Sequence, residues 1–479
     1  MTDLHDGLPP LNPTSPPPPR LPRGFVFGAA TSAYQIEGGA NADGKSDSIW
    51  DVFCRLPGAV AGGDSGEVAC DHYHRLDDDL ATMSALGLDA YRFSIAWPRV
   101  MPDGRTLNPN GLDFYERLVD GLLEREIDPW PTLYHWDLPQ TLQDEGGWAD
   151  RGIVERFSDY AAAVDDRLGD RIHRYTTFNE PWVAAFLGHA AGVHAPGHQN
   201  PSEAIAAGHH MLLAHGTAVA RLRARATAPE LGITLNLSVI DPLTPVDEPA
   251  ARLIDGQMNR FFLDPLFNGA YPEDVREALS PWWPDGLVRA GDLDLISARL
   301  DFFGANYYRG EVVSFTPPDA DDTIRPATDR PPATPYPASR GIHFHTVLPE
   351  RTALGWVVQP EGLERLLRRL SDDYTARRGT PIYVTENGAA YHDGVVAGRV
   401  HDAARVRFID AHLRAVAAAV DGGVDVRGYF YWSLLDNFEW DWGYGQRFGI
   451  VHVDYETQKR TIKDSGLHYA RVIAEHRAT

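Results

Sequence analysis

Cysteine is scarce. Cys54 and Cys70 are the only two in 479 residues, too few for the disulfide framework of a small secreted scaffold, so a reducing, cytoplasmic setting is expected. Positive charge is also in deficit. Lys and Arg number 44 against 67 Asp and Glu, a net charge of −23, and no basic run interrupts that excess, which excludes a nucleic acid or an anionic membrane surface as partner. No apolar run reaches the roughly 20 residues that cross a bilayer. The opening MTDLHDGLPPLNPTSPPPPRLPRG lacks the apolar core of a secretion signal.

Phosphate and nucleophile motifs are absent too. No G-x-G-x-x-G, Walker or G-x-S-x-G stretch stands at the end of a strand-like run, so dinucleotide, nucleotide and serine-hydrolase readings lack support. Histidines gather in DHYH (71–74) and GHAAGVHAPGH (188–198). Neither shows the H-E-x-x-H spacing or a paired cysteine set, so neither a metal nor a cofactor is expected.

What is present is a globular composition, 43% hydrophobic and 23% charged. Residues 1–22 are proline-rich and predict an extended tail. From 23 to 479 one unit repeats: an apolar run ends in polar residues and a helical stretch follows. The runs are 24–35, 88–97, 128–136, 174–180, 231–238, 300–308, 381–387 and 426–436. Between them lie segments such as 111–127 and 361–374, apolar at helical spacing. Eight strands alternating with helices predict an α/β chain closed into a single (β/α)₈ TIM barrel with long loops. The connection 310–355 is long and aperiodic, suiting either a wall of the site entrance or a surface insertion.

In such a barrel chemistry sits at the strand C-termini. Polar and aromatic residues collect there: Gln35, His135, Trp136, Asn179, Glu180, Asn306, Tyr308, Glu386 and Trp432. Glu439 and Trp440 follow the eighth run. The fourth run, RYTTFNEPW, alternates like a strand, with Tyr175, Thr177 and Asn179 on one side and Thr176, Phe178 and Glu180 on the other.

Two carboxyls at one rim can hydrolyse a glycosidic bond, one as acid on the leaving oxygen and the other attacking the sugar carbon or activating water. Glu180, between Phe178 and Trp182, suits a raised pKa and the acid role. Glu386 suits the ionised role, with Arg92 as a candidate cation and Tyr308 as a hydrogen-bond donor. Taken singly, Glu180-Pro181 also fits a helix start, and TENG a glycine turn. The aromatic residues at the run ends suit the apolar faces of sugars.

The segments GAATSAYQIEG, DHYHR, YRFSIAWPR, TFNEP, YVTENG and WSLLDNFEW…GY…RFGIVHVDY closely resemble glycoside hydrolase family 1, the β-glucosidase family, from about Gly24 to about Ala474. The resemblance implies a retaining double displacement with Glu180 as acid/base and Glu386 as nucleophile, acting on a small β-glucoside or short oligosaccharide. It also implies that Gln35, His135, Asn179, Glu439 and Trp440 bind sugar hydroxyls. Asn179 would hold the 2-hydroxyl, Trp432 would be the platform and Trp356 would lie on the leaving-group side. Trp136 and Asn306 complete the candidate substrate contacts. By the same resemblance, Glu439 and Trp440 occupy the segment that in the family's phospho-glycosidases is similar to a Ser-containing, Lys-rich phosphate cradle, and they would repel phosphate; both carboxyls are intact. Glucosides, galactosides and fucosides remain open as substrates. So do two other outcomes, a sugar-binding barrel without turnover and an enzyme that mainly transglycosylates.

Overall fold

The computed structural model describes residues 19–319, 325, 328 and 330–478. The proline-rich tail lies outside the described residues as far as Pro18. All eight apolar runs are strands: β1 (Val26–Ala30), β2 (Ala90–Ser94), β3 (Asp128–Tyr134), β4 (Arg174–Asn179), β5 (Glu230–Asn236), β6 (Phe302–Asn306), β7 (Ile382–Asn387) and β8 (Val426–Trp432). Each pairs in parallel with its sequence neighbour, and β8 closes on β1. The (β/α)₈ barrel expected from the sequence is therefore the observed fold.

Strands of such a barrel are covered on both faces, by helices outside and by one another's side chains inside. That is why they read as nearly continuous apolar runs. Inside, the floor is aromatic: the Trp130 ring of β3 meets Phe302 of β6, Tyr383 of β7 and Phe430 of β8 edge-on, with centroids 4.8–5.3 Å apart. A filled floor leaves the opposite end of the barrel for polar groups.

Outside, amphipathic helices pack their apolar stripes onto the strands. The stripe expected over 111–127 is the helix Pro109–Leu123. That expected over 361–374 is the helix Pro360–Leu370 with a wider turn at Ser371–Thr375. Both start on a proline, whose missing N–H costs nothing in a first turn.

Two runs are shorter as strands than the sequence suggested. After β1 the chain turns into one helical turn, Ala33–Ile36, because Ala33 N–H donates to Ser94 Oγ (2.7 Å) instead of continuing the ladder. Gln35 therefore projects from a helical turn and not from a strand end. After β8, Ser433 Oγ donates to Leu435 O (2.6 Å) and ends the extension. The described part of the connection 310–355 carries two short strands. Glu311–Ser314 pairs antiparallel with His343–His345 and parallel with Ile240–Pro242. Tyr336 reaches the Trp182 ring at 5.4 Å, so the described part of this segment flanks the strand ends as the entrance-wall reading requires. Both cysteines are buried and free. Among the described residues no helix is long and apolar enough to cross a membrane.

Candidate active site

The two strands that carry Glu180 and Glu386 share an irregularity. Between Thr176 and Asn179, β4 spends three residues against two on β5. Between Val384 and Glu386, β7 spends two against one on β6. An extra residue of this kind re-aims every side chain beyond it. In β4 the result is direct: Thr177 Oγ1 meets His215 (2.8 Å) on the outer helix Pro201–Arg223, and the next ring, Phe178, meets Phe157 at 4.4 Å on the outer helix Ile153–Leu168. Two consecutive side chains thus leave the barrel, and the next two enter the site together.

Simple alternation separates Asn179 from Glu180, and the structure corrects it. Asn306 Nδ2 donates to Asn179 Oδ1 (3.0 Å) and to Glu180 Oε1 (2.6 Å). Besides the bulge, Glu180 has φ +48°, in the left-handed region, while its N–H still pairs with Thr234 O (2.9 Å). Trp136 (φ +74°) and Trp440 (φ +51°) share that conformation. Each such position costs on the order of 1–3 kcal/mol, and such strain collects where a site needs it.

The hydrogen-bond donors fix the amides. Arg92 can only donate, and its Nη2 lies 2.6 Å from Asn179 Oδ1. The Asn179 amide nitrogen therefore donates to His135 Nε2 (3.1 Å), which places the imidazole proton on Nδ1. That Nδ1 is buried without a partner. Burial and the Arg92 charge hold His135 well below its ordinary pKa, so the ring is neutral. Thr385 Oγ1 donates to Asn306 Oδ1 (2.7 Å) and locks that amide in turn.

Glu386 takes Arg92 Nη1 on Oε1 (2.5 Å) and Tyr308 Oη on Oε2 (2.7 Å). Burial raises its pKa, while the Arg92 charge, the Tyr308 phenol and Asn306 pull it back. Glu180 is pushed well above the carboxylate range, first by burial and then by the charge of Glu386. Arg92 thus does not cancel the burial of Glu386, but it makes Glu386 the more acidic of a coupled pair.

Around this pair, Gln35 Nε2 donates to Phe438 O (2.7 Å), Asn437 Oδ1 (3.1 Å) and Glu439 Oε2 (3.4 Å). Glu439 is raised to about 8 by burial and by the charges of Asp441 and Glu386. His135 stacks on Trp432 (5.9 Å) and Trp440 (6.1 Å). Trp136 is spent differently: its indole N–H donates to Asn179 O (2.9 Å) and its ring braces Trp440 at 4.6 Å. Trp356 is half-buried beside Tyr308 (5.6 Å), with the Arg309 guanidinium 4.7 Å from its ring centre. The structure gathers every candidate residue at this rim. Asn437, Thr385 and His194, whose ring lies 5.5 Å from Trp136, belong to the same assembly; they fall within stretches marked in the sequence, though with no role given to any of them.

Asp137, next in sequence to Trp136, is buried with Oδ1 unpartnered, and burial with the nearby Glu37 charge holds it up at about 8. In the unfolded chain an Asp titrates near 3.9. Between those values the unfolded chain releases a proton that the folded one keeps, so stability falls as pH rises from about 4 to about 8. Asp137→Asn removes that fall. Its melting temperature should exceed the parent's by a margin that widens from pH 5 to pH 8, with up to about 5 kcal/mol at stake. A margin independent of pH would refute the assignment.

The profile of the family described as glycosyl hydrolase family 1 matches residues 18–478. The chain is 48% identical over 458 residues to thermostable β-glucosidase B of Thermobispora bispora, covering 95% of this chain and 90% of that protein. It is 45% identical over 473 residues to a bifunctional β-D-glucosidase/β-D-fucosidase of Bifidobacterium breve, covering 96% and 99%. The crystal structure of the psychrophilic β-glucosidase BglU from Micrococcus antarcticus matches with a TM-score of 0.92 at 52% identity, over 95% of this chain and 98% of that one. Agreement of this extent, in sequence and in fold, means that the chain belongs to glycosyl hydrolase family 1.

Proposed function

We propose that the protein is a retaining β-glucosidase that removes terminal non-reducing β-D-glucosyl residues from short oligosaccharides and from aryl or alkyl glucosides. The observation that carries this reading is the asymmetry of two carboxyls set on either side of Asn306. Asn306 bonds Glu180 and pairs in register with Glu386 across β6 and β7, whereas Arg92 and Tyr308 bond Glu386 and not Glu180. Inverting enzymes hold their carboxyls about 6.5–9.5 Å apart to admit a water, and retaining ones about 5–5.5 Å. One residue that bonds the first carboxyl and neighbours the second favours the short case.

Glu180 then gives its proton to the glycosidic oxygen while Glu386 attacks the anomeric carbon. The Glu386 charge disappears into the ester bond, which removes one cause of the raised Glu180 pKa. Glu180, now more acidic, takes a proton from water as that water displaces Glu386. The free His135 Nδ1–H and the Gln35–Glu439 pair offer contacts to sugar hydroxyls, with Trp432 beside them.

Glu439, held up at about 8 by burial and neighbouring charges, keeps its proton more readily than an ordinary carboxyl, and in that form it can both donate and accept. A group of that kind tolerates a 4-hydroxyl in either orientation, so β-D-fucosides, named for the Bifidobacterium breve relative, are included as substrates. A panel of aryl β-D-glycosides tests both points. Glucoside and fucoside should be cleaved with the β-anomer of the sugar appearing first by NMR. No aryl alcohol from any of them across roughly pH 5–8 would favour a sugar-binding barrel instead, and an initial α-anomer would rule out retention.

A further inference from the structure

The loop after β4 carries a second group of ligating side chains, apart from the carboxyl pair. The π-helical turn Val183–Ala191 contains His189 near its end, and the helix Pro201–Arg223 holds Glu203 in its first turn. Between them the chain doubles back, with His198 N–H donating to Gly188 O (2.9 Å) and Asn200 N–H to His189 O (2.6 Å). One ligating atom each of His189, His198 and Glu203 comes within 4.8 Å of the others. The two imidazole planes stand at 89°, with centroids 5.4 Å apart.

Glu203 Oε2 lies 2.6 Å from His198 Nδ1 and 3.7 Å from His189 Nδ1. The other carboxylate oxygen accepts from Asn200 Nδ2 (3.0 Å), which fixes the group's orientation. His189 is 1% exposed, and its Nδ1 has no hydrogen-bond partner. A buried nitrogen left without a partner, facing a carboxylate just out of reach, calls for an explanation. A cation between them supplies one.

We propose that His189, His198 and Glu203 form a divalent transition-metal site suited to Zn²⁺, with water completing the coordination. Two imidazoles and one carboxylate are a zinc ligand set that leaves a position open, and bonds of about 2.0–2.2 Å in a tetrahedron set ligand atoms about 3.3–3.6 Å apart. The His189–Glu203 separation already lies near that spacing. The His198–Glu203 pair has to open by less than about 1 Å, and His198, 42% exposed, has room to move while Asn200 holds the carboxylate. The same exposure gives the ion a way in. Asn200 acts as the outer-shell partner that holds a ligating carboxylate. The histidine cluster GHAAGVHAPGH supplies two of the ligands, but the His-x₈-His-x₄-Glu spacing matches no metal motif, and the fold adds Glu203 to complete the set.

The site takes no part in the sugar chemistry. It joins the end of the turn after β4 to the start of the next helix and so braces the loop of His194, whose ring packs against Trp136 (5.5 Å) and Trp440 (6.3 Å). The test uses the full-length protein, stripped with chelator and titrated with Zn²⁺ by calorimetry and with Co²⁺ by visible absorption. One ion per chain should bind at micromolar concentration or tighter, with tetrahedral Co²⁺ bands and a higher melting temperature. His198→Ala and Glu203→Gln, both at partly exposed positions, should each weaken binding by at least about tenfold and abolish the thermal gain, and Asn200→Ala should weaken it by about tenfold. Failure of the parent to hold an ion, or equal affinity in the parent and in both ligand variants, would overturn the proposal.

Discussion

Glu386→Gly is expected to lose roughly 10⁵-fold or more in kcat on any glucoside, the scale on which removal of an attacking group acts. The chain should stay folded. The substitution leaves Arg92 without its carboxylate, and breaking a buried ion pair can cost about 3–5 kcal/mol. Arg92 Nη2 keeps Asn179 Oδ1 at 2.6 Å, however. Removing Glu386 also removes a carboxyl whose own burial is unfavourable, as its raised pKa shows. Circular dichroism and the melting temperature check that point before activity is read. With an activated aryl β-glucoside and azide, the small anion enters the space left by the carboxylate and attacks the anomeric carbon from that side. The product should be an α-glucosyl azide. A β-glucosyl azide from this variant would show that Glu386 is not the attacking group.

The barrel was legible in the sequence because of how parallel strands are buried. Covered on both faces, the eight runs stood out as apolar stretches with polar ends, and every one proved to be a strand. Their ends were less legible. Gln35 appeared to close a strand but lies on the helical turn Ala33–Ile36, where a single hydrogen bond from Ala33 to Ser94 redirects the chain. Period-two counting separated Asn179 from Glu180, because a one-residue bulge and a left-handed backbone conformation leave no mark in residue type. The supporting residues were illegible for another reason. Thr385, Asn437 and His194 lie in stretches that stood out, YVTENG, WSLLDNFEW and GHAAGVHAPGH, but they act through partners distant in sequence, so their own roles could not be read there. The same holds for His189 and Glu203, which meet only because the loop between them doubles back.

Glu180→Ala should separate substrates by leaving group. An alkyl glucoside or a disaccharide, whose leaving oxygen needs a proton, should lose about 10²–10⁴-fold in kcat/KM. A dinitrophenyl glucoside, whose leaving group departs unprotonated, should lose far less. The quantity has to be kcat/KM, since kcat for activated substrates also contains the second step, where Glu180 serves as base. In the parent, kcat/KM for the poor substrate should fall at alkaline pH as Glu180 loses the proton that burial and the Glu386 charge hold on it. In the variant that fall should vanish. Azide provides a cross-check on both residues at once: with Glu386 in place it attacks the glycosyl-enzyme from the face opposite the ester, so Glu180→Ala should yield the β-glucosyl azide where Glu386→Gly yields the α. Equal losses on all leaving groups, or the same anomer from both variants, would mean that the roles of the two carboxyls are not divided as the Arg92 and Tyr308 contacts divide them.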